Sequence, residues 1–238
     1  MHTGDAPAHV GSVAHHRSVR SFVRREGRLT RGQARNLEQL FAHYGLECAD
    51  ERLDAQALFG PQTAMILEIG FGNGEALAEL ALRHPQRGYL GVEVYRAGLG
   101  RLLCELERQD IRNVRLVCAD AVEVMRCNIA DSALAGIQVF FPDPWPKRRH
   151  HKRRLIQPDW VALAACRLAV GGFLHLATDW QEYAEHMLEV VEGSAQFTNA
   201  AGPGQFAPGP GERPSTRFER RGRNKGHCVW DLTFLKRR

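Results

Sequence analysis

The stretch M-I-L-E-I-G-F-G-N-G-E, residues 65–75, decides the fold. A short apolar run breaks into three glycines spaced one residue apart, and then into a helical segment at 75–83. A strand that passes through a glycine turn into a helix is the opening unit of a doubly wound α/β domain. Outward from it the alternation repeats. Y-L-G-V-E-V (89–94), V-R-L-V-C-A (114–119), I-Q-V-F-F (137–141) and F-L-H-L-A-T (173–178) predict four more strands, with helices over 97–108, 121–125, 158–168 and 181–191 between them. Strands joined by helical crossovers of this length should be parallel. Upstream, Leu37, Leu40, Phe41 and Tyr44 recur at helical spacing within 30–46, and Gly45 stands near the end of that helix. Downstream, the Pro and Gly residues of 202–214 demand a loop, and H-C-V-W-D-L-T-F-L-K (227–236) predicts a last strand returning to the sheet.

The 238 residues suffice for one α/β core with an N-terminal appendage. Residues 1–30 predict a mobile basic arm and 31–238 the folded domain. Lys and Arg total 32 against 27 acids, a net charge of +5, which suits an anionic partner. The charge is concentrated in two strips. Lys147 to Arg154 reads K-R-R-H-H-K-R-R, and Arg17 to Arg31 holds six arginines against one glutamate. Six scattered cysteines read as small core residues in a reducing compartment. Eleven histidines show no ligand spacing, so no metal is expected. No apolar run has the length of a membrane span, and the N-terminus lacks the apolar core of a signal peptide; a soluble, cytoplasmic protein without membrane partners is expected.

In an open parallel sheet the strand carboxyl ends share one edge, and ligands bind in the crevice there. The predicted strands deliver to it Gly70, Gly72 and Gly74, then Glu93, Asp120, Asp143 and Asp179. The glycine turn lets backbone approach a ligand and aims the next helix's amides at it. Glu93, about twenty residues on, is placed to accept from both hydroxyls of a ribose, and Asp120 stands where an adenine amino group would lie. The spacing G-x-G-x-G departs from the G-x-G-x-x-G of dinucleotide folds. Glu68 and the other acids suit a cationic cofactor end, so S-adenosylmethionine is favoured over a pyrophosphate. After the fourth run, F-P-D-P-W-P fixes Asp143 between two prolines, a rigid acid suited to act on substrate. Trp145 could stack on a base or simply pack. The adjoining basic run would hold a phosphate backbone and bring a nucleobase to the cofactor. Three rival functions are a dinucleotide-dependent oxidoreductase, a non-catalytic RNA-binding protein and a methyltransferase acting on protein or small molecules.

The sequence resembles the bacterial tRNA (guanine-N7-)-methyltransferases from about Ser18 to Phe234. The resemblance is carried by R-S-F-V-R-R-E-G-R-L-T (20–30), L-E-I-G-F-G-N-G-E (67–75), G-V-E-V-Y (91–95), F-P-D-P-W-P-K-R-R-H-H-K-R-R-L (141–155), A-T-D-W-Q-E-Y-A (177–184) and T-R-F-E-R-R-G (216–222). It implies a Rossmann-like, mostly parallel seven-stranded sheet of the class I S-adenosylmethionine-dependent kind. It also implies methyl transfer to N7 of guanine 46 in tRNA. Glu68, Glu93, Asp120 and Asp143 then fall at cofactor-binding positions, with Asp143 also catalytic. Lys147, Asp179, Thr216, Arg217, Phe218 and Glu219 fall at substrate positions, and Arg149, His150, His151, Lys152, Arg153 and Arg154 in the RNA-contacting strip. A monomer binding tRNA and not DNA is the expectation, with a homodimer left open.

Overall fold

A computed structural model describes residues 21–22, 29–47, 51–216, 219–220, 226 and 228–237. Its elements in chain order are α1 (Arg31–Tyr44), β1 (Gly45–Leu46), α2 (Ala55–Phe59), β2 (Ala64–Ile69), α3 (Glu75–Arg83), β3 (Arg87–Val92), α4 (Arg96–Arg108), β4 (Val114–Val117), α5 (Ala121–Cys127) and β5 (Leu134–Phe140). A 3-10 turn (Arg148–Arg153) follows, then α6 (Pro158–Arg167), β6 (Leu168–Thr178), α7 (Gln181–Glu192), β7 (Phe197–Asn199) and β8 (Trp230–Lys236). Most of the expected arm, 1–30, lies outside the described residues.

The strands form a single sheet ordered β1-β4-β3-β2-β5-β6-β8-β7. All neighbours run parallel except β8, which is antiparallel to both β6 and β7. The chain winds from β2 outward through β3 and β4, then returns to lay β5 on the other side of β2. That reversal opens a crevice beyond the carboxyl ends of β2 and β5. It is the sequence's opening unit that stands at the centre.

Alternation along β2 divides the core into two layers. Leu67 and Ile69 pack with Val124, Trp160, Tyr183 and Met187 on the side of α5, α6 and α7. Ile66 packs with Tyr44, Leu77, Leu102 and Leu106 on the side of α1, α3 and α4. Helix α1 begins where a capping box requires it to. Thr30 Oγ1 accepts from the Gln33 amide, and the Gln33 side chain accepts from the Thr30 amide.

Four expectations are corrected. The sheet has eight strands rather than seven, because β1 and β7 are too short to show as apolar runs. Helix α2, a single turn capped by Asp54, escaped for the same reason. Strand β6 begins at Leu168, directly after α6, since Gly171 at φ 79° lets the chain continue as strand through a glycine pair. Cys104, Cys118, Cys127, Cys166 and Cys228 are exposed rather than in the core: Cys104, Cys127 and Cys166 fall on the outward stripes of their helices, and Cys118 and Cys228 lie just outside β4 and β8. Cys48 lies outside the described residues.

Candidate active site

Strand β2 ends at Ile69 and the chain turns through Gly70, Gly72 and Gly74, all at positive φ, into α3. Gly74 is the most constrained of the three. It caps α3 at φ 77°, and a Cβ there would sit 2.6 Å from Leu102. A fourth glycine holds the turn from outside. Gly98, in the first turns of α4, packs so closely that a Cβ on it would lie 1.9 Å from the Gly72 carbonyl oxygen. Sequence reasoning missed Gly98; a glycine inside a helix, where it is unfavourable by roughly 1 kcal/mol relative to alanine, was the available signal.

Glu93 extends from the end of β3 across this turn. Its Oε2 accepts from the Gly72 amide at 2.8 Å, and its Oε1 from the amides of Val94 and Tyr95 at 2.7 and 3.0 Å. A carboxylate offers about four acceptor sites. Three are therefore engaged by backbone, and Glu93 also lines the crevice. Asp120 caps α5 by accepting from the Val122 amide at 2.9 Å, and it also lines the crevice.

Glu68 lies beneath these groups, 2% exposed, with no hydrogen-bond partner for its Oε2 among the described residues. Burial, reinforced by the neighbouring Glu93 carboxylate, pushes its carboxyl up to about 8. A buried acid aimed into a crevice without a cation of its own is suited to a positively charged ligand group. The crevice itself holds about 1550 Å³ and is lined by Glu68, Gly70, Gly72, Gly74, Glu93 and Asp120 on one side and by Asp143, Asp179 and Thr216 on the other.

The second side is built differently. Phe141 and Trp145 take left-handed backbone at φ 54° and 46°, conformations a bulky side chain adopts only under constraint. The constraints are visible. The Phe141 amide donates to the Ala177 carbonyl at 2.8 Å, and Arg154 Nε donates to the Pro144 carbonyl at 2.9 Å. The Trp145 indole donates to the Ser21 carbonyl at 3.1 Å, with Arg153 3.9 Å over its ring and His150 edge-on at 5.9 Å. Asp143 stands exposed on this clamped loop. Trp145 packs within the loop, the second of its two sequence-based roles.

Not every expected residue is where the resemblance put it. Lys147 is exposed at the head of the 3-10 turn, outside the crevice lining. Arg154 is no part of an exposed strip: it is 3% exposed, its guanidinium meeting the Pro144 carbonyl, Glu182 at 3.2 Å and the Tyr183 ring. Arg149 and Lys152 are exposed, while His150, His151 and Arg153 are half-buried. Glu219 is 1% exposed, ion-paired with Arg213 at 2.5 Å and absent from the lining. Arg217 and Phe218 lie outside the described residues. Arg213, buried in the Pro/Gly-rich region, also escaped sequence reasoning, for no periodicity there distinguishes an inward arginine.

A family model described as "Putative methyltransferase" matches residues 62–232. The tRNA (guanine-N(7)-)-methyltransferase of Alkalilimnicola ehrlichii is 59% identical over 93% of this chain and 94% of its own length. That of Alcanivorax borkumensis is 52% identical over 93% and 92%, and that of an Acidovorax species 51% over 98% and 91%. Among solved structures, the 16S rRNA methyltransferase KamB superposes with a TM-score of 0.58 at 14% identity, covering 82% of this chain and 99% of that one. At that identity the likeness concerns the fold alone.

Proposed function

The chain belongs to the tRNA (guanine-N7-)-methyltransferases, and from that premise we propose that it transfers a methyl group from S-adenosylmethionine to N7 of guanine 46 in tRNA. One observation carries the proposal. A buried acid, Glu68, whose Oε2 has no hydrogen-bond partner among the described residues, and an exposed acid on a clamped loop, Asp143, line the same crevice, with a basic turn adjoining the second.

Bound in the crevice, the cofactor supplies an electrophilic methyl group on a sulfonium. Glu68 would meet its cationic end, and Glu93 would accept from the ribose hydroxyls. Asp120 would face the adenine. Guanine N7 carries its own lone pair, so no general base is required. Orientation and charge placement must then supply most of the acceleration. The base gains positive charge as the methyl arrives. Asp143, with Asp179, accepts from the guanine N–H groups and favours that charge, while Thr216 closes the same wall. The exposed cations Lys147, Arg149 and Lys152 hold the RNA backbone, positioning the nucleotide without reading its sequence. With tRNA as substrate, the cytoplasm is the proposed place of work; no helix of the described residues is long and apolar enough to cross a membrane.

The test is incubation with methyl-labelled cofactor and unmodified tRNA, followed by nucleoside analysis and mapping of the modified position. Label in 7-methylguanosine at position 46 is the expected result. Label in another nucleoside, or at another guanine, would overturn the substrate assignment.

A further inference from the structure

The chain leaves the sheet at Asn199, the end of β7, passes Arg213 beyond the Pro/Gly-rich loop, and rejoins the sheet at β8. Between these points Thr216 lines the crevice. One side chain closes the neck of this excursion. Arg213 donates through Nε and one terminal nitrogen to the two oxygens of Asp231, the second residue of β8, at 2.7 and 2.8 Å. Its other terminal nitrogen donates to Glu219 at 2.5 Å and to the Pro214 carbonyl at 3.3 Å. Thr216 is held in turn, its Oγ1 accepting from the Glu219 amide at 3.1 Å. The guanidinium also lies against the rings of Phe141 and Phe140, at 5.4 and 5.7 Å from their centroids. Phe141 is two residues from Asp143.

We propose that Arg213 is a positioning residue that fixes the Asp143 loop and the Thr216 loop to one another, and so sets the width of the guanine side of the crevice. The inference rests on the assignment of Asp143 and Thr216 to the substrate. Arg213 touches neither cofactor nor base; it does not line the crevice. Its planar fork serves two carboxylates and two rings at once, which a lysine ammonium cannot reproduce. Asp231 is braced further by His175 at 3.0 Å, so the anchor is tied into the sheet itself. Burial alone would push the Asp231 carboxyl up, but the hydrogen bonds from Arg213 and His175 outweigh it and hold the group below its usual range. The loop's outer tie, Arg220 to Glu75 at 3.6 Å, is exposed and contributes little. Removing Arg213 would take from buried Asp231 its two guanidinium hydrogen bonds and leave it with His175, a cost relieved by releasing the loop. The contacts of Arg213 itself fall on Asp231, Glu219, Pro214, Phe140 and Phe141, none of them in the glycine turn.

The test compares the full-length chain with Arg213→Met, Arg213→Lys and Glu219→Gln. Cofactor affinity is measured by calorimetry, steady-state constants with tRNA, and hydrogen exchange across 141–145 and 214–230. For Arg213→Met, about tenfold faster exchange in both segments is expected while the rest of the sheet is unchanged. KM for tRNA should rise about tenfold with cofactor affinity held within about twofold, and Arg213→Lys should fall between. Glu219→Gln should loosen 214–220 and leave 141–145 as it was, and it decides the matter if Arg213→Met does not fold. Unchanged exchange in both segments, or equal losses of cofactor and tRNA binding, would overturn the proposal. Should the unaltered chain fail to methylate tRNA, the functional assignment falls, and exchange still decides whether Arg213 joins the loops.

Discussion

The glycine-turn side of the crevice and the Asp143 side are held by different kinds of bond. Around β2, β3 and β4 the scaffold is backbone: Glu93 binds three amides, and the Gly72 carbonyl rests on Gly98 with no room for a methyl group. Around β5, β6 and β8 one backbone bond, Phe141 to Ala177, is joined by side chains: Arg154 and Arg213 reach into loops whose backbone is held left-handed at Phe141 and Trp145. The first side can bind the same ligand shape in every catalytic cycle without adjustment. The second is tied by ion pairs, which can exchange partners. Steric substitutions should therefore damage the first side, and charge substitutions the second.

The largest effect is expected at Asp143. Asp143→Ala should lower kcat about 100- to 1000-fold, the range typical of losing one preorganised group that stabilises developing charge. Its effect on cofactor affinity should be about tenfold or less, since the turn and Glu93 are untouched. Single-turnover kinetics with saturating tRNA provide the check, and near-normal turnover would remove Asp143 from the chemistry. Gly98→Ala makes the opposite cut. Its methyl group must displace the Gly72 carbonyl, and overpacking of this kind costs about 1–3 kcal/mol. Cofactor affinity should fall roughly 10- to 100-fold, with exchange in the Arg213-anchored loop unaltered. Were calorimetry to show unchanged affinity, the turn would not be a rigid element.

This contrast also explains what was legible in the sequence. Everything fixed by backbone pattern could be read: the strand-turn-helix unit at 64–83, the parallel strands, and the positions of Glu93 and Asp120 at strand ends. Apolar periodicity reports such features directly. What depends on where a long polar side chain points could not be read. Arg149 and Arg154 are identical letters in one basic run, yet one is exposed and the other 3% exposed beneath the loop. Arg213 carries no local signal, because its partners Asp231 and Glu219 are brought to it by the fold. Glu93 was located correctly, while its engagement by three amides depends on the turn's φ angles. Elements of two, three or five residues, β1, β7 and α2, are likewise below the length at which a pattern exists.

The glycine side can be probed further by pH. With its carboxyl raised to about 8, Glu68 is protonated in the folded, ligand-free protein over most of the neutral range. The linkage sign follows from that direction. Above the ordinary glutamate value of 4.5 the unfolded chain binds fewer protons at this position than the native one. The contribution of Glu68 to stability is thus complete below about 4.5 and is lost as pH rises through about 8. A cationic ligand group would favour the carboxylate, so cofactor binding should release a proton and tighten about tenfold between roughly pH 6 and pH 8. Calorimetry in buffers of different ionisation enthalpy measures that release. Glu68→Gln should abolish it and flatten the fall in denaturation midpoint; a variant retaining both would assign the titration to another group.

The smallest effects should come from the basic turn, and they separate its two kinds of arginine. An exposed cation that neutralises one phosphate contributes about one unit to the slope of log affinity against log salt. Arg149→Ala and Lys152→Ala should each flatten that slope by about one and weaken tRNA binding only a few-fold, with turnover at saturating tRNA unchanged. Arg154→Ala should leave the slope intact. Its guanidinium is directed at the Pro144 carbonyl and Glu182, so its removal should instead lower the thermal midpoint and quicken exchange around Asp143. The reverse pattern, with Arg154 changing the slope and Arg149 the stability, would mean that this turn rearranges on RNA. The side-chain-held wall of the crevice would then be the moving part, and the backbone-held wall the one against which it closes.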